Sequence, residues 1–250
     1  MSRVALGSSV IVPVVVAWTA VGLAFLLVSA CARIVGWARP VTGALLILCA
    51  LGNTSFLGIG VVGGVLGDAG LGSAVAYDQL GSFLALSVYG AIVAGAHEEG
   101  SINLRALVAR VVRFAPFVAL VVSPIVAFVH PSAVAYDILD IPAATVAPVA
   151  MFGLGLRFPR RLAVDMPVIV GLVVKLVAIP LVLYVVAALL GTLEDMPWKT
   201  SILQSAMPPM VTAGIVAVGA GFDEELVASI VGVGTLACVV TLPLWSAVLV

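Results

Sequence analysis

Two stretches decide the reading: LGNTSFLGIGVVGGVLGDAG at residues 51–70 and SAMPPMVTAGIVAVGAGFDE at residues 205–224. They align without gaps at an offset of 154, which sets Gly60 on Gly214 and Gly67 on Gly221. Identity between them is slight. Shape is the stronger signal, because each is an apolar segment interrupted at its middle by helix breakers. The first carries Gly52, Gly58, Gly60, Gly63 and Gly64; the second carries Pro208, Pro209 and Gly214. Glycine weakens a helix and proline removes a backbone donor. Each stretch closes on a short acidic break and then runs into another apolar segment.

The rest of the chain sets the environment of these breaks. Of 250 residues, 63% are apolar and only 9% charged, where a soluble domain carries about 25% charge. Mean hydropathy is +1.31. A soluble globule of this size would lack polar cover for so much apolar surface, so the surplus faces lipid. A spanning helix needs about 20 apolar residues. The sequence predicts eight, near residues 8–31, 41–66, 73–95, 107–128, 134–156, 164–190, 200–220 and 226–248. The runs are too long, and alternate too little, for a lipid-spanning β-barrel. The expected class is an all-α polytopic membrane protein.

Composition also excludes functions. Eleven Lys plus Arg against twelve Asp plus Glu leave a net charge of −1, with no basic stripe for nucleic acid. His97 and His130 stand beside predicted helix ends, and Cys31, Cys49 and Cys238 are scattered through apolar runs. Neither set has metal-ligand spacing or the look of a disulfide framework; the cysteines read as small core residues. No Ser/His, paired Asp or His/Glu constellation lies within the spans, so an enzyme is not expected, nor a cofactor. The VSAC motif at 28–31 matches a lipoprotein cleavage site. The apolar run from Val10, about 20 residues, exceeds a signal core of 7–15, so the segment reads as a retained span.

Lys and Arg placement gives orientation. Alternate loops collect Arg33, Arg39, Arg105, Arg110, Arg113, Arg157, Arg160 and Arg161 on one side, against Arg3 and Lys199 on the other. The first side is expected to be cytoplasmic and both termini external, in the plasma or inner membrane of the cell.

An interrupted helix leaves backbone groups unpaired where lipid cannot satisfy them, so the break must line a protein cavity. Matching breaks in two halves point to a carrier's midplane site, where half-helix N-termini face an anionic substrate. Glycines serving helix packing alone would not explain Pro208–Pro209 or the polar Asn53 and Thr54. Candidate substrate contacts are Asn53, Thr54, Gly60, Pro208 and Thr212, with Ser205 weaker; candidate hinges are Gly58, Gly60, Pro208, Pro209 and Gly214. Asn53, Thr54 and Ser55 equally suit capping of the second half-helix. Met207 and Met210 read as pocket wall.

Two charges fall inside spans. Asp78 lies in the third and Lys175 in the sixth; an ionised group at mid-helix costs about 2.5–3.5 kcal/mol on insertion scales. Asp78 reads either as a proton or sodium coupling site or as an interfacial anchor. Lys175 reads as a counter-charge for substrate, a partner for a helix C-terminus, or a snorkelling residue. Asp223, Glu224 and Glu225 read as a loop and helix start, Asp137 and Asp140 as near-surface residues, and Arg160–Arg161 as a topology anchor.

The offset implies an organisation. Residues 107–250 hold five predicted spans and residues 1–96 hold three, with 97–106 as a cytoplasmic connecting loop. The first repeat is then short by about 47 residues, the length of two spans. Since two is even, the first three spans would be inverted relative to the last three.

Several of these residues carry a resemblance. GNTSFLGIGVV (52–62) resembles the asparagine-bearing broken helix of the auxin efflux carrier family, here in its bacterial permease form. APVAMFGLGLRF (147–158) is similar to that family's Met-Phe-x-Leu-Gly-Leu helix end, and KLVAIP (175–180) to its basic residue five positions before a proline. Residues 204–245 are similar to its last two helices. The resemblance implies a ten-span inverted-repeat fold and a secondary carrier of small organic anions, working by alternating access around two crossed broken helices. It places Asn53 at a substrate carboxylate and Pro208 at the last crossover. The family's first crossover proline stands where this chain has Gly60, and the acid–base pair that plant members carry on the preceding helix is missing from residues 8–31. Lipid and a small organic anion are the expected partners, with a homodimer left open. Two alternatives stand beside this: a truncated, non-transporting structural or regulatory subunit, and a sodium-coupled carrier of the distantly similar bile-acid type.

Overall fold

The computed structural model describes residues 8–97, 112, 118, 122 and 163–250. The expected spans at 107–128 and 134–156, the 97–106 loop and the stretch 147–158 otherwise lie outside the described residues. So do Arg105, Arg110, Arg113, His130, Asp137, Asp140, Arg157, Arg160 and Arg161.

The described residues form eight helices, labelled here in chain order. These are α1 (Ser8–Val35), α2 (Arg39–Ala50), α3 (Thr54–Leu66), α4 (Asp68–Ala96), α5 (Met166–Leu190), α6 (Met196–Ser205), α7 (Val211–Gly219) and α8 (Glu224–Leu249). The order is the same twice over: a long helix, a pair of short helices separated by a break, and a second long helix. Helices α1, α4, α5 and α8 are each long and apolar enough to cross a membrane. Their outward faces carry large apolar side chains, such as Leu26, Leu189 and Val239, as a lipid-facing surface requires. The short pairs α2–α3 and α6–α7 correspond to the interrupted spans expected at 41–66 and 200–220.

Matching signals end corresponding elements. Gly67 follows α3 and Gly221 follows α7, and both adopt left-handed backbone, φ 69° and 78°, where a side chain would be strained. These two glycines are partners at the 154 offset. Asp165 caps α5 by accepting the Val168 N–H at 3.2 Å, and Asp223 caps α8 by accepting the Leu226 N–H at 2.9 Å. The acidic run at 223–225 is thus the start of a helix, favoured by the positive end of its dipole. Helix α2 is the axis of the core: Gly43, Ala44, Leu45, Ile47, Leu48, Cys49 and Ala50 are all buried, and Cys49 donates to the Gly171 carbonyl at 3.3 Å.

Three turns are widened to the π-helical i→i+5 pattern: Thr54–Gly58, Tyr77–Phe83 and Val174–Ala178. Such turns free carbonyls and are frequent at functional positions. Each freed set finds a side-chain donor from another helix. The indole of Trp18 on α1 donates to Leu80 O at 3.2 Å, the indole of Trp245 on α8 to Leu176 O at 2.9 Å, and Gln204 on α6 to Thr54 O at 3.3 Å. The turn at 174–178 has a visible cause. Pro180 has no N–H and its ring excludes the carbonyl four residues back, which is Leu176 O. Pro13 in α1 acts alike, and Ser73 donates to Ser9 O at 3.1 Å.

Candidate functional site: the crossing of two broken helices

The two breaks meet. Gly52 and Pro209 pair as a single antiparallel bridge, with Asn53 N–H donating to Pro208 O at 2.7 Å and Met210 N–H to Leu51 O at 2.9 Å. The sequence favours this locally. A residue before proline is pushed to extended backbone, so Met207-Pro208-Pro209 cannot continue α6. The prolines themselves cannot donate, and the bridge uses only the Pro208 carbonyl and the N–H of Met210. Backbone groups stranded by both interruptions are thereby paired with each other, as the interior requires.

Four helix ends surround the bridge. Helices α3 and α7 begin there, and α2 and α6 end there. An N-terminus carries roughly half a positive charge and a C-terminus half a negative one. Lys175, 2% exposed, lies against one of the negative ends: its ammonium donates to Ser205 O at 3.1 Å. It also stands close to the bridge, since a Cβ on Gly52 would lie 3.0 Å from Lys175 Nζ.

Asp78, on α4, lies against the start of α3, the second half of the other broken helix. It is 0% exposed, and its Oδ1 accepts the hydroxyls of Thr54 and Ser55, each at 2.6 Å, while Oδ2 accepts Gln79 Nε2 at 2.8 Å. Asp78 and Lys175 do not pair: the ion pair among the described residues is the peripheral Lys199–Glu194, at 2.8 Å. Both intramembrane charges therefore stand at the crossing without a charged partner among the described residues. No group of three His, Cys, Asp or Glu suited to a metal occurs among the described residues.

The remaining candidates separate. Asn53 is buried and its carboxamide makes no capping bond. Pro208 and Pro209 form the bridge, and Thr212 is half-buried in the first turn of α7. The hydroxyl of Thr54 is directed to Asp78. Gly58 is buried, and a Cβ there would overlap Gln204 Oε1. Gly60 stands outside the bridge, inside α3 and exposed, with nothing within 4 Å of the position of a Cβ. Gly214 packs against Val227 and Val231 of α8. The first break thus falls at residues 51–53, on Gly52 and ahead of Gly58 and Gly60. Met207 and Met210 are buried beside the bridge.

Gln204 is the site residue that sequence reasoning missed. It is 0% exposed, and its Nε2 reaches both Thr54 O at 3.3 Å and Ala74 O at 3.4 Å. The signal was present: it is the lone carboxamide in α6, four residues after Thr200.

Comparison with known proteins agrees with this architecture. The pattern of the membrane transport protein family matches residues 3–246. An uncharacterized transporter of Methanothermobacter thermautotrophicus is 30% identical over 213 residues, covering 83% of this chain and 68% of that relative. With buried charges and two interrupted helices gathered at one crossing, this chain is a multi-pass membrane transporter that belongs to the auxin efflux carrier family of membrane transport proteins.

Proposed function

We propose that the chain carries small organic anions, carboxylates in particular, by alternating access around the crossing. The observation that carries this reading is the convergence of two half-helix N-termini and the Lys175 ammonium on one main-chain bridge. That arrangement concentrates positive potential where lipid would otherwise exclude an anion. The roles follow from position. Asn53 offers an amide donor beside the start of α3, Thr212 a hydroxyl at the start of α7, and Lys175 offsets the substrate charge. The two halves, related as inverted repeats, would move relative to each other about this point.

The test is uptake of labelled mono- and dicarboxylates into vesicles bearing the protein. Loss of a hydrogen bond to a charged group is worth about 1.5–3 kcal/mol, so Asn53→Ala should raise KM about tenfold or more while membrane insertion is unchanged. Identical kinetics in the variant would remove Asn53 from the site, and lack of uptake of any carboxylate by the native chain would remove the substrate class.

A further inference from the structure

A buried polar file follows the seam between α4 and α6. Gly70, Ala74 and Asp78 recur every four residues on α4, and Thr200 and Gln204 do the same on α6, which places each set along one helix face. A Cβ on Gly70 would lie 3.1 Å from Thr200 Oγ1, and Gln204 Nε2 reaches Ala74 O at 3.4 Å. The two helices therefore run parallel along this seam. One turn further on stands the Asp78 carboxylate with the Thr54 and Ser55 hydroxyls at 2.6 Å.

Two oxygens in this file are orphaned. Thr200 Oγ1 and Gln204 Oε1 are fully enclosed and have no hydrogen-bond partner among the described residues. A buried acceptor without a partner is costly and rare. Gln204 cannot relieve this by turning its amide, because its nitrogen is already directed at two carbonyl oxygens. Its Oε1 lies against the same widened turn, Thr54–Gly58, that supplies the hydroxyls of the Asp78 cluster.

We infer that the α4–α6 seam binds and admits a small monovalent metal cation, with Asp78, Thr54 and Ser55 as its inner ligands and Gln204 and Thr200 lining its path. Every donor is a hard oxygen, the set that suits hard cations. Both hydroxyls can rotate to turn a lone pair inward. The cluster holds a single negative charge, so a monovalent ion neutralises it, whereas a divalent ion would leave a net charge buried. The hydroxyl oxygens of Thr54 and Ser55 converge on one carboxylate oxygen, so three hard oxygens lie within reach of a single small ion. Because the seam is parallel, the N-termini of α4 and α6 share one end, where Asp68 and Asp195 are exposed and Glu194 is paired with Lys199 at 2.8 Å.

This inference rests on the carrier reading only for its purpose, the supply of a driving ion, and binding can be tested without transport. The experiment is thermal unfolding of the purified protein in sodium, potassium or choline chloride at fixed ionic strength. A ligand that binds only the folded state raises the midpoint with the logarithm of its concentration. The native protein should show that rise in sodium alone, and Asp78→Asn should abolish it. Should Asp78→Asn fail to fold, Ser55→Ala should move the half-effective sodium concentration upward about tenfold. Equal midpoints in all three salts would overturn the site, as would a sodium response unchanged in these variants or matched by potassium. A sodium response without carboxylate uptake would uphold the site and reject the anion reading; uptake without the response would do the reverse.

Discussion

Replacing Gly58 by alanine places a methyl group where Gln204 Oε1 now stands, 2.9 Å from Gln204 Cδ and 3.2 Å from its Nε2. A flexible side chain would ordinarily yield. Gln204 is 0% exposed and held by two carbonyls, at 3.3 and 3.4 Å, so it can yield only by losing those bonds or shifting α6. Overpacking of a filled interior costs about 1–3 kcal/mol. Two long hydrogen bonds add about 0.5 kcal/mol each, at the lower bound for neutral pairs. Against this, alanine gains about 0.5–1 kcal/mol over glycine within a helix. The net expectation is a loss of about 2 kcal/mol, which for a chain of this size lowers the unfolding midpoint by about 4–8 °C. Gly60→Ala is the matched control, two residues on in the same helix with open space at its Cβ, and should leave the midpoint unchanged or raise it by about 2–4 °C. Gln204→Ala combined with Gly58→Ala should cost less than the sum of the two single changes. Thermal unfolding in detergent reads all four variants against the native protein. Equal midpoints for the Gly58→Ala and Gly60→Ala proteins would refute the packing of Gln204 on the widened turn.

Lys175→Met keeps the volume and apolar stem while removing the charge, and should cut anion uptake at least tenfold with insertion intact; native rates would take the ammonium out of the site. Trp245→Phe strands the Leu176 carbonyl and should cost about 1–3 kcal/mol, read as a fall in the unfolding midpoint. In a Pro180→Ala background the same change should cost less, since an N–H at position 180 then satisfies that carbonyl; an undiminished cost would show that proline is not what frees it.

The fold was legible because burial in lipid leaves so few options. Apolar runs between charged breaks gave the six described spans to within a few residues, and the unusual composition of 51–70 and 205–224 marked both interruptions. The exact break in the first was not legible. Five glycines and the capping candidates Asn53–Ser55 left the crossing spread over residues 52–60, and the chain leaves the helix at the front of that range, residues 51–53, where Gly52 meets Pro209. Glycine permits a break but does not compel one, and a tertiary partner decided which glycine was used. The helical starts, Thr54 and Val211, are 157 residues apart, three more than the sequence offset of 154. Asp78 and Lys175 could be singled out because charge in an apolar run is conspicuous. Their partners were not, since Ser205 acts through its carbonyl, which every residue has, and widened turns have no distinguishing composition. Only the turn at 174–178 carried a clue, in Pro180.

The bridge at the centre of the crossing is made of main-chain atoms. Leu51 and Pro208 contribute carbonyls, Asn53 and Met210 contribute N–H groups, and no side chain takes part in its two hydrogen bonds. Architecture and chemical taste are therefore written in separate vocabularies. The side chain at position 53 or 212 can be exchanged without unfastening the joint, so a lineage could drift from one cargo to another by single substitutions while its moving parts stay assembled.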